Sequence, residues 1–176
     1  MRLSFLKPKP KVNVEFFSER LGQNDHTPPF RKYYGTRFGK KPDVYWADVI
    51  PIENKPINYL EIGLFHGSNF FHVANSFASH PNSKLYGIDP WMDYEGYNEY
   101  KGENESNYNV FKNNLNNSDV SEKCTIYRDL SQNVVSKFED SFFDLVFIDG
   151  SHETEYVYND AKKLFSKTKN WWVFGV

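Results

Sequence analysis

The residues best equipped for chemistry fall in four short segments. The first is Glu61-Ile62-Gly63-Leu64-Phe65-His66-Gly67-Ser68, where an acid precedes two glycines four positions apart and a serine follows. Glycine lets a backbone turn tightly and approach a ligand, and a helix that starts after such a turn offers N–H groups with no helical partner. A pyrophosphate-binding turn would need the spacing Gly-x-Gly-x-x-Gly. Here one glycine stands at the first turn with a carboxylate before it, which suits a ligand bearing an ammonium and a sulfonium instead of phosphates.

The second segment, Gly87-Ile88-Asp89-Pro90-Trp91, sets a carboxylate where it can accept both hydroxyls of a ribose, with an indole able to lie against a purine. The third, Arg128-Asp129-Leu130-Ser131, is placed to reach an adenine edge, or equally to cap the helix that follows. The fourth, Ile148-Asp149-Gly150-Ser151-His152, brings a carboxylate and an imidazole to one rim. A histidine that titrates near neutrality can take a proton from a substrate hydroxyl, and an adjacent acid can hold a metal or an amino group. Asp149 and His152 are therefore the catalytic candidates, against a plainer reading in which Ser151 caps a helix and His152 is solvated.

Such residues act together only if strands end beside one another. Short apolar runs alternate with helical stretches from about residue 57, the pattern of βα repeats and a mostly parallel sheet. Strands are expected at 57–62, 84–88, 124–128 and 143–148, with a fifth beginning at 171–174. Helices are expected at 69–78, where Pro81 would end the run, at 107–115, at 131–138 behind a Ser131 cap, and at 152–165. The asparagines 113, 114, 116 and 117 read as a frayed helix end. In a doubly wound sheet of this kind ligands bind beyond the carboxyl ends of the strands, where all four segments fall.

Composition bounds the rest. A charged fraction of 25% and an aromatic fraction of 18% exclude a disordered or collagen-like chain, and 176 residues suit one main domain. Residues 1–42, with Pro8, Pro10, Pro28 and Pro29, read as an N-terminal arm or cap, and 43–176 as the ligand-binding domain. Within the arm, 31–41 interleaves cations with aromatics, a pattern open to phosphate, nucleic acid or sugar, or simply a surface loop. A net charge of -2 gives no global attraction to nucleic acid, and no apolar run reaches the ~20 residues of a membrane span. Neither nucleic acid nor membrane is an expected partner, and a cytoplasmic location is. Cys124, the single cysteine, reads as a structural thiol.

Together these segments resemble the class I S-adenosylmethionine-dependent methyltransferases, and more narrowly the small-molecule and sugar O-methyltransferases called methyltransferase family 24. The resemblance covers residues 58–167. It rests on an acid-x-Gly-x-x-x-Gly-Ser turn (Glu61, Gly63, Gly67, Ser68), an Ile-Asp-Pro-Trp segment (88–91), and an Ile-Asp-Gly-x-His-x-x-x-x-Val-x-x-Asp segment ending in Val157 and Asp160. It implies a Rossmann-like α/β domain and S-adenosylmethionine as cofactor. Glu61, Gly63, Gly67 and Ser68 would surround the methionine part, Asp89 the ribose, Trp91 with Asp129 and Leu130 the adenine, while Asp149 and His152 face a small-molecule or glycan acceptor. Use of a divalent metal and the oligomeric state stay open.

The chain departs from that pattern near its end. Relatives carry a Gly-Gly turn and then a strand closing in an Asp-Asp pair, whereas Trp171-Trp172-Val173 stands here and no acids follow. Trp-Trp-Val is encoded TGGTGGGTN, which read one base later gives Gly-Gly. The expectation is therefore a frameshifted or truncated product lacking the fold's last strands. The alternative to an active O-methyltransferase is a non-catalytic remnant that still binds the cofactor. A nicotinamide dehydrogenase and a nucleic-acid methyltransferase are disfavoured by the glycine pattern and the charge.

Overall fold

The computed structural model of the chain describes residues 55–93, 100–151, 153–169 and 173–175. The expected arm at 1–42, its cationic-aromatic stretch, His152, Trp171 and Trp172 lie outside the described residues.

The strands are β1 (Asn58–Ile62), β2 (Lys84–Ile88), β3 (Cys124–Tyr127), β4 (Leu145–Ile148) and β5 (Val173–Gly175), in spatial order β3-β2-β1-β4-β5. All the pairings are parallel. The chain walks from β1 outward to β3, then returns to the other side of β1 as β4, so the order reverses between β1 and β4. The helices are α1 (Ser68–Asn75), α2 (Asn104–Asn116), α3 (Ser131–Val134) and α4 (Thr154–Leu164). This is the Rossmann-like α/β arrangement expected from the alternating pattern.

Alternation along the strands splits the core in two, because successive side chains point to opposite faces. Tyr59, Leu85, Leu145 and Phe147 pack with Phe70, Phe71, Val73 and Ala74 of α1 and Phe111 of α2. Leu60, Ile62, Ile88, Val146 and Ile148 pack on the other face with Val134 of α3 and Leu164 of α4. β4 is buried along its whole length, as a parallel strand covered on both faces must be, and its sequence Leu-Val-Phe-Ile has no polar position. β3, at the sheet's edge, is only half-buried.

Several boundaries differ from expectation for local reasons. α1 stops at Asn75, well before Pro81. Ser76 donates its hydroxyl and its N–H to the His72 carbonyl, and the chain leaves helical geometry there, a competition for backbone groups that serine is suited to. α2 begins at Asn104, shortening the expected polar loop. Its asparagine-rich end is not frayed at Asn114, which is buried. Ser131 does not cap α3; it is the first helical residue, with Leu130 at the cap position. Its hydroxyl instead donates to Asp160 at 2.6 Å, tying α3 to α4. Phe143 precedes β4 and bridges Thr168.

Register is what builds the rim. Ile62 pairs with Ile88 on one side and Ile148 on the other, so the three strands end level. The next residues, Gly63, Asp89 and Asp149, extend the ladder: Gly63 N–H donates to Ile88 O at 2.9 Å, Asp149 N–H to Ile62 O at 2.7 Å, and Asp89 N–H to Tyr127 O at 3.1 Å.

Candidate functional site

The turn after β1 needs both of its glycines. Gly63 has φ +85°, a left-handed conformation, and a Cβ there would stand 2.1 Å from the Asp149 carbonyl oxygen. Gly67 has φ +89°, and a Cβ would meet the Phe71 ring at 2.3 Å. The first glycine thus lets the turn close against the end of β4, and the second lets it enter α1 over the core. Ser68 opens α1, where helix N–H groups lack partners within the helix.

Between the glycines, Phe65 is also left-handed at φ +50°, an arrangement that costs a non-glycine residue ~1–2 kcal/mol. Three neighbours hold it. Its N–H donates to Asp89 Oδ2 at 2.9 Å, its carbonyl accepts the Trp91 indole N–H at 2.9 Å, and its ring packs, tilted, against Tyr100 with centroids 4.8 Å apart. His66 is clamped from α2: Asn114 donates to its carbonyl at 2.9 Å, and its Nε2 lies 2.9 Å from Asn107 Oδ1, an acceptor that asks for the Nε2–H tautomer.

Asp89 is the pin of this turn. Oδ2 accepts from Leu64 N–H at 2.8 Å as well as from Phe65, and Oδ1 accepts from Trp91 N–H at 2.8 Å. Burial raises its carboxyl above the ordinary aspartate value, opposed by those three bonds and by Arg128. A carboxylate has about four acceptor positions, so one remains, on Oδ1. Asp89, expected at the ribose, thus gives three of those positions to the turn's own N–H groups. Trp91, expected beside the adenine, is 3% exposed, its ring wedged on Tyr108 and Phe111 at 4.9 and 5.0 Å.

Glu61 is deeper than its expected role beside a ligand's methionine part suggested. It is 1% exposed, and its Oε2 accepts from the Tyr59 hydroxyl and from Asn69 Nδ2 at 2.8 Å. Burial pushes its carboxyl up to about 8, the two hydrogen bonds oppose that, and the negative charges of Asp149 and Asp89 add to it. The same burial lifts the Tyr59 phenol well above its ordinary value. Asn69 Oδ1 is buried and has no hydrogen-bond partner among the described residues, leaving an acceptor beside the acid. Buried acceptors and acids of this kind fit a ligand that brings positive charge and N–H donors.

Asp129, at the end of β3, spends Oδ1 on the Leu130 N–H at 2.7 Å and on Asn133 Nδ2 at 2.9 Å, organising the start of α3, and those bonds hold its carboxyl low. Leu130 itself is half-buried. Asp149 is exposed on the rim. His152 being outside the described residues, its position relative to Asp149 is not part of this geometry; Ser151 Oγ accepts the Glu153 N–H at 3.2 Å, at the entry to α4. Among the described residues no group of three or more His, Cys, Asp or Glu is placed to hold a metal. Cys124 donates its thiol to Val120 O, and burial pushes it up to about 12, far from a reactive thiolate.

Four residues of this site escaped the sequence reading: Tyr59, Asn69, Asn107 and Asn114. Only Tyr59 carried a usable signal, since it stands two residues before Glu61 and so shares its face of β1. The asparagines are picked out by the fold alone.

No curated protein matches the chain by sequence. Among solved structures it is similar to a protein from Corynebacterium glutamicum (16% identity, TM-score 0.46, covering 66% of this chain and 46% of that one). It is also similar to cofactor-bound Rv0187 from MTB (18%, 0.47, 63% and 43%). A third is the bifunctional kinase-methyltransferase WbdD (18%, 0.41, 65% and 23%). The chain thus spans less than half the length of each. A family profile described as a methyltransferase domain matches residues 60–170, more than half of the chain and the whole stretch that carries the rim. The chain therefore belongs to that family, the class I S-adenosylmethionine-dependent methyltransferases.

Proposed function

We propose that the domain binds S-adenosylmethionine over the Gly63–Gly67 turn and transfers its methyl group to a hydroxyl of a small molecule or a sugar. The observation that carries this reading is the rim itself: a glycine turn pinned by Asp89, with Glu61 and Asp149 beside it and donors from a positively charged ligand still to be matched. When bound, the cofactor would supply an electrophilic methyl carbon on sulfur for an acceptor oxygen.

The chain's residues have the remaining work. Gly63 and Gly67 let the backbone approach, and the first N–H groups of α1 at Ser68 suit the methionine carboxylate. Glu61 and Asn69 Oδ1 lie on the side where an ammonium would be held, and Asp89 Oδ1 retains one acceptor position for a ribose hydroxyl. Asp129 and Leu130 stand at the adenine side. Asp149 faces the acceptor, and His152 takes the hydroxyl proton. In-line alignment and that proton transfer are what such a displacement requires from a protein.

Calorimetry with S-adenosylmethionine, followed by transfer of labelled methyl to hydroxylated acceptors, tests the reading. Saturable binding with turnover is expected, and His152→Ala should lower turnover by ~10²–10⁴-fold while leaving cofactor affinity in place. Binding without turnover on any acceptor would favour the cofactor-binding remnant, and no binding would defeat both.

A further inference from the structure

Glu61 is an acid in an unusual setting. It is 1% exposed; among the described residues its two hydrogen-bond donors, the Tyr59 hydroxyl and the Asn69 amide, are neutral, and the charges that reach it from the neighbouring strand ends, Asp89 after β2 and Asp149 after β4, are both negative. A buried carboxylate without a counter-charge costs several kcal/mol, and such a group commonly keeps its proton instead. A cation beside it reverses the preference.

Resting on the reading that the domain binds S-adenosylmethionine, we propose that Tyr59 and Asn69 position Glu61 to hold a proton in the ligand-free domain and to release it to solvent when the cationic cofactor is bound. Binding would then be coupled to the loss of one proton. Tyr59 and Asn69 are positioning residues in this scheme: both donate to the same oxygen, Oε2, which fixes the carboxyl, and Asn69 also donates to the Tyr59 hydroxyl at 3.1 Å, locking the three groups to one another. Their hydrogen bonds favour the charged form, opposing burial. That balance keeps Glu61 within reach of a ligand's charge. Arg128 acts on Asp89 from β3's end, so its positive charge supports the turn's pin.

The test is titration calorimetry of the full chain with S-adenosylmethionine in phosphate and in Tris, from pH 6 to pH 9. About one proton released per cofactor is expected at pH 6.5 and almost none at pH 9, with affinity rising by up to about tenfold per pH unit below 8. The cofactor's own amino group titrates alike with every variant, so the difference from Glu61→Gln isolates the protein's proton. Identical proton counts in the wild type and Glu61→Gln would overturn the proposal. Tyr59→Phe removes one bond to the charged form but keeps the carboxyl, so the midpoint of the affinity profile should move to higher pH. A loss of affinity equal at every pH would reduce Tyr59 to a packing residue and sink the coupling, and this holds even if Glu61→Gln fails to fold. Binding without proton release defeats the coupling alone, whereas absence of binding at all pH values defeats the cofactor reading with it.

Discussion

At the amino end of the sheet Asp144, just before β4, accepts the Asn58 N–H at 2.8 Å and pairs with Lys169 at 2.9 Å. Nearby, Asp140 pairs with Lys167 at 2.7 Å and accepts the Ser166 hydroxyl at 3.0 Å. At the carboxyl end Asp89 accepts three backbone N–H groups, and Glu61 accepts a phenol and an amide. The same residue chemistry is thus balanced in two ways. Lysines neutralise the acids at one end in partly solvated pairs that fasten the 140–144 and 166–169 segments together. At the other end Asp89 is held by backbone donors with Arg128 acting on it, whereas Glu61 is oriented by neutral donors that leave its charge uncancelled. An end built only for stability needs no acid left short of positive charge, and Glu61 is such an acid.

The comparison breaks first at Gly63. Gly63→Ala places a methyl 2.1 Å from Asp149 O in a left-handed conformation, and a loss above ~4 kcal/mol, or failure to fold, is expected in urea denaturation. Wild-type stability in this variant would mean that the turn need not close on β4. Asp89→Ala comes next, because it strands three N–H groups of the turn: ~2–4 kcal/mol of stability and at least tenfold in cofactor affinity should go together. An affinity loss with stability intact would make Asp89 a ligand contact more than a pin.

A smaller and pH-dependent effect falls on Glu61. Its carboxyl titrates near 8 when folded and near the ordinary glutamate value when unfolded, so between about 5 and about 8 the folded chain binds the extra proton. Stability of the ligand-free domain should therefore fall as pH rises through that window and level off above it, and Glu61→Gln should flatten the slope of urea midpoint against pH. The least effect is expected at the amino end. Lys169→Ala removes a partly exposed pair, its side chains 43% and 24% exposed, and should cost no more than ~1 kcal/mol, diminishing in high salt. A larger loss there would erase the distinction between the two ends.

Much of this was written locally. Short uninterrupted apolar runs such as 145–148, bounded by turn residues, fit strands covered on both faces, alternation with amphipathic helices implies parallel order, and glycines at 63 and 67 announce a turn because other residues resist φ near +85°. So the α/β architecture, the strand ends and the positions of Glu61, Asp89 and Asp149 followed from residue type and spacing. What no local pattern contained was the use each acid is put to. Whether Asp89 faces a ligand or three backbone N–H groups depends on β1 and β2 ending level. Whether Trp91 is a platform or a core residue depends on α2 lying over it, and the burial of Glu61 depends on Tyr59 and on Asn69 arriving from α1. Those are contacts between elements distant in the chain, and only packing in three dimensions could decide them.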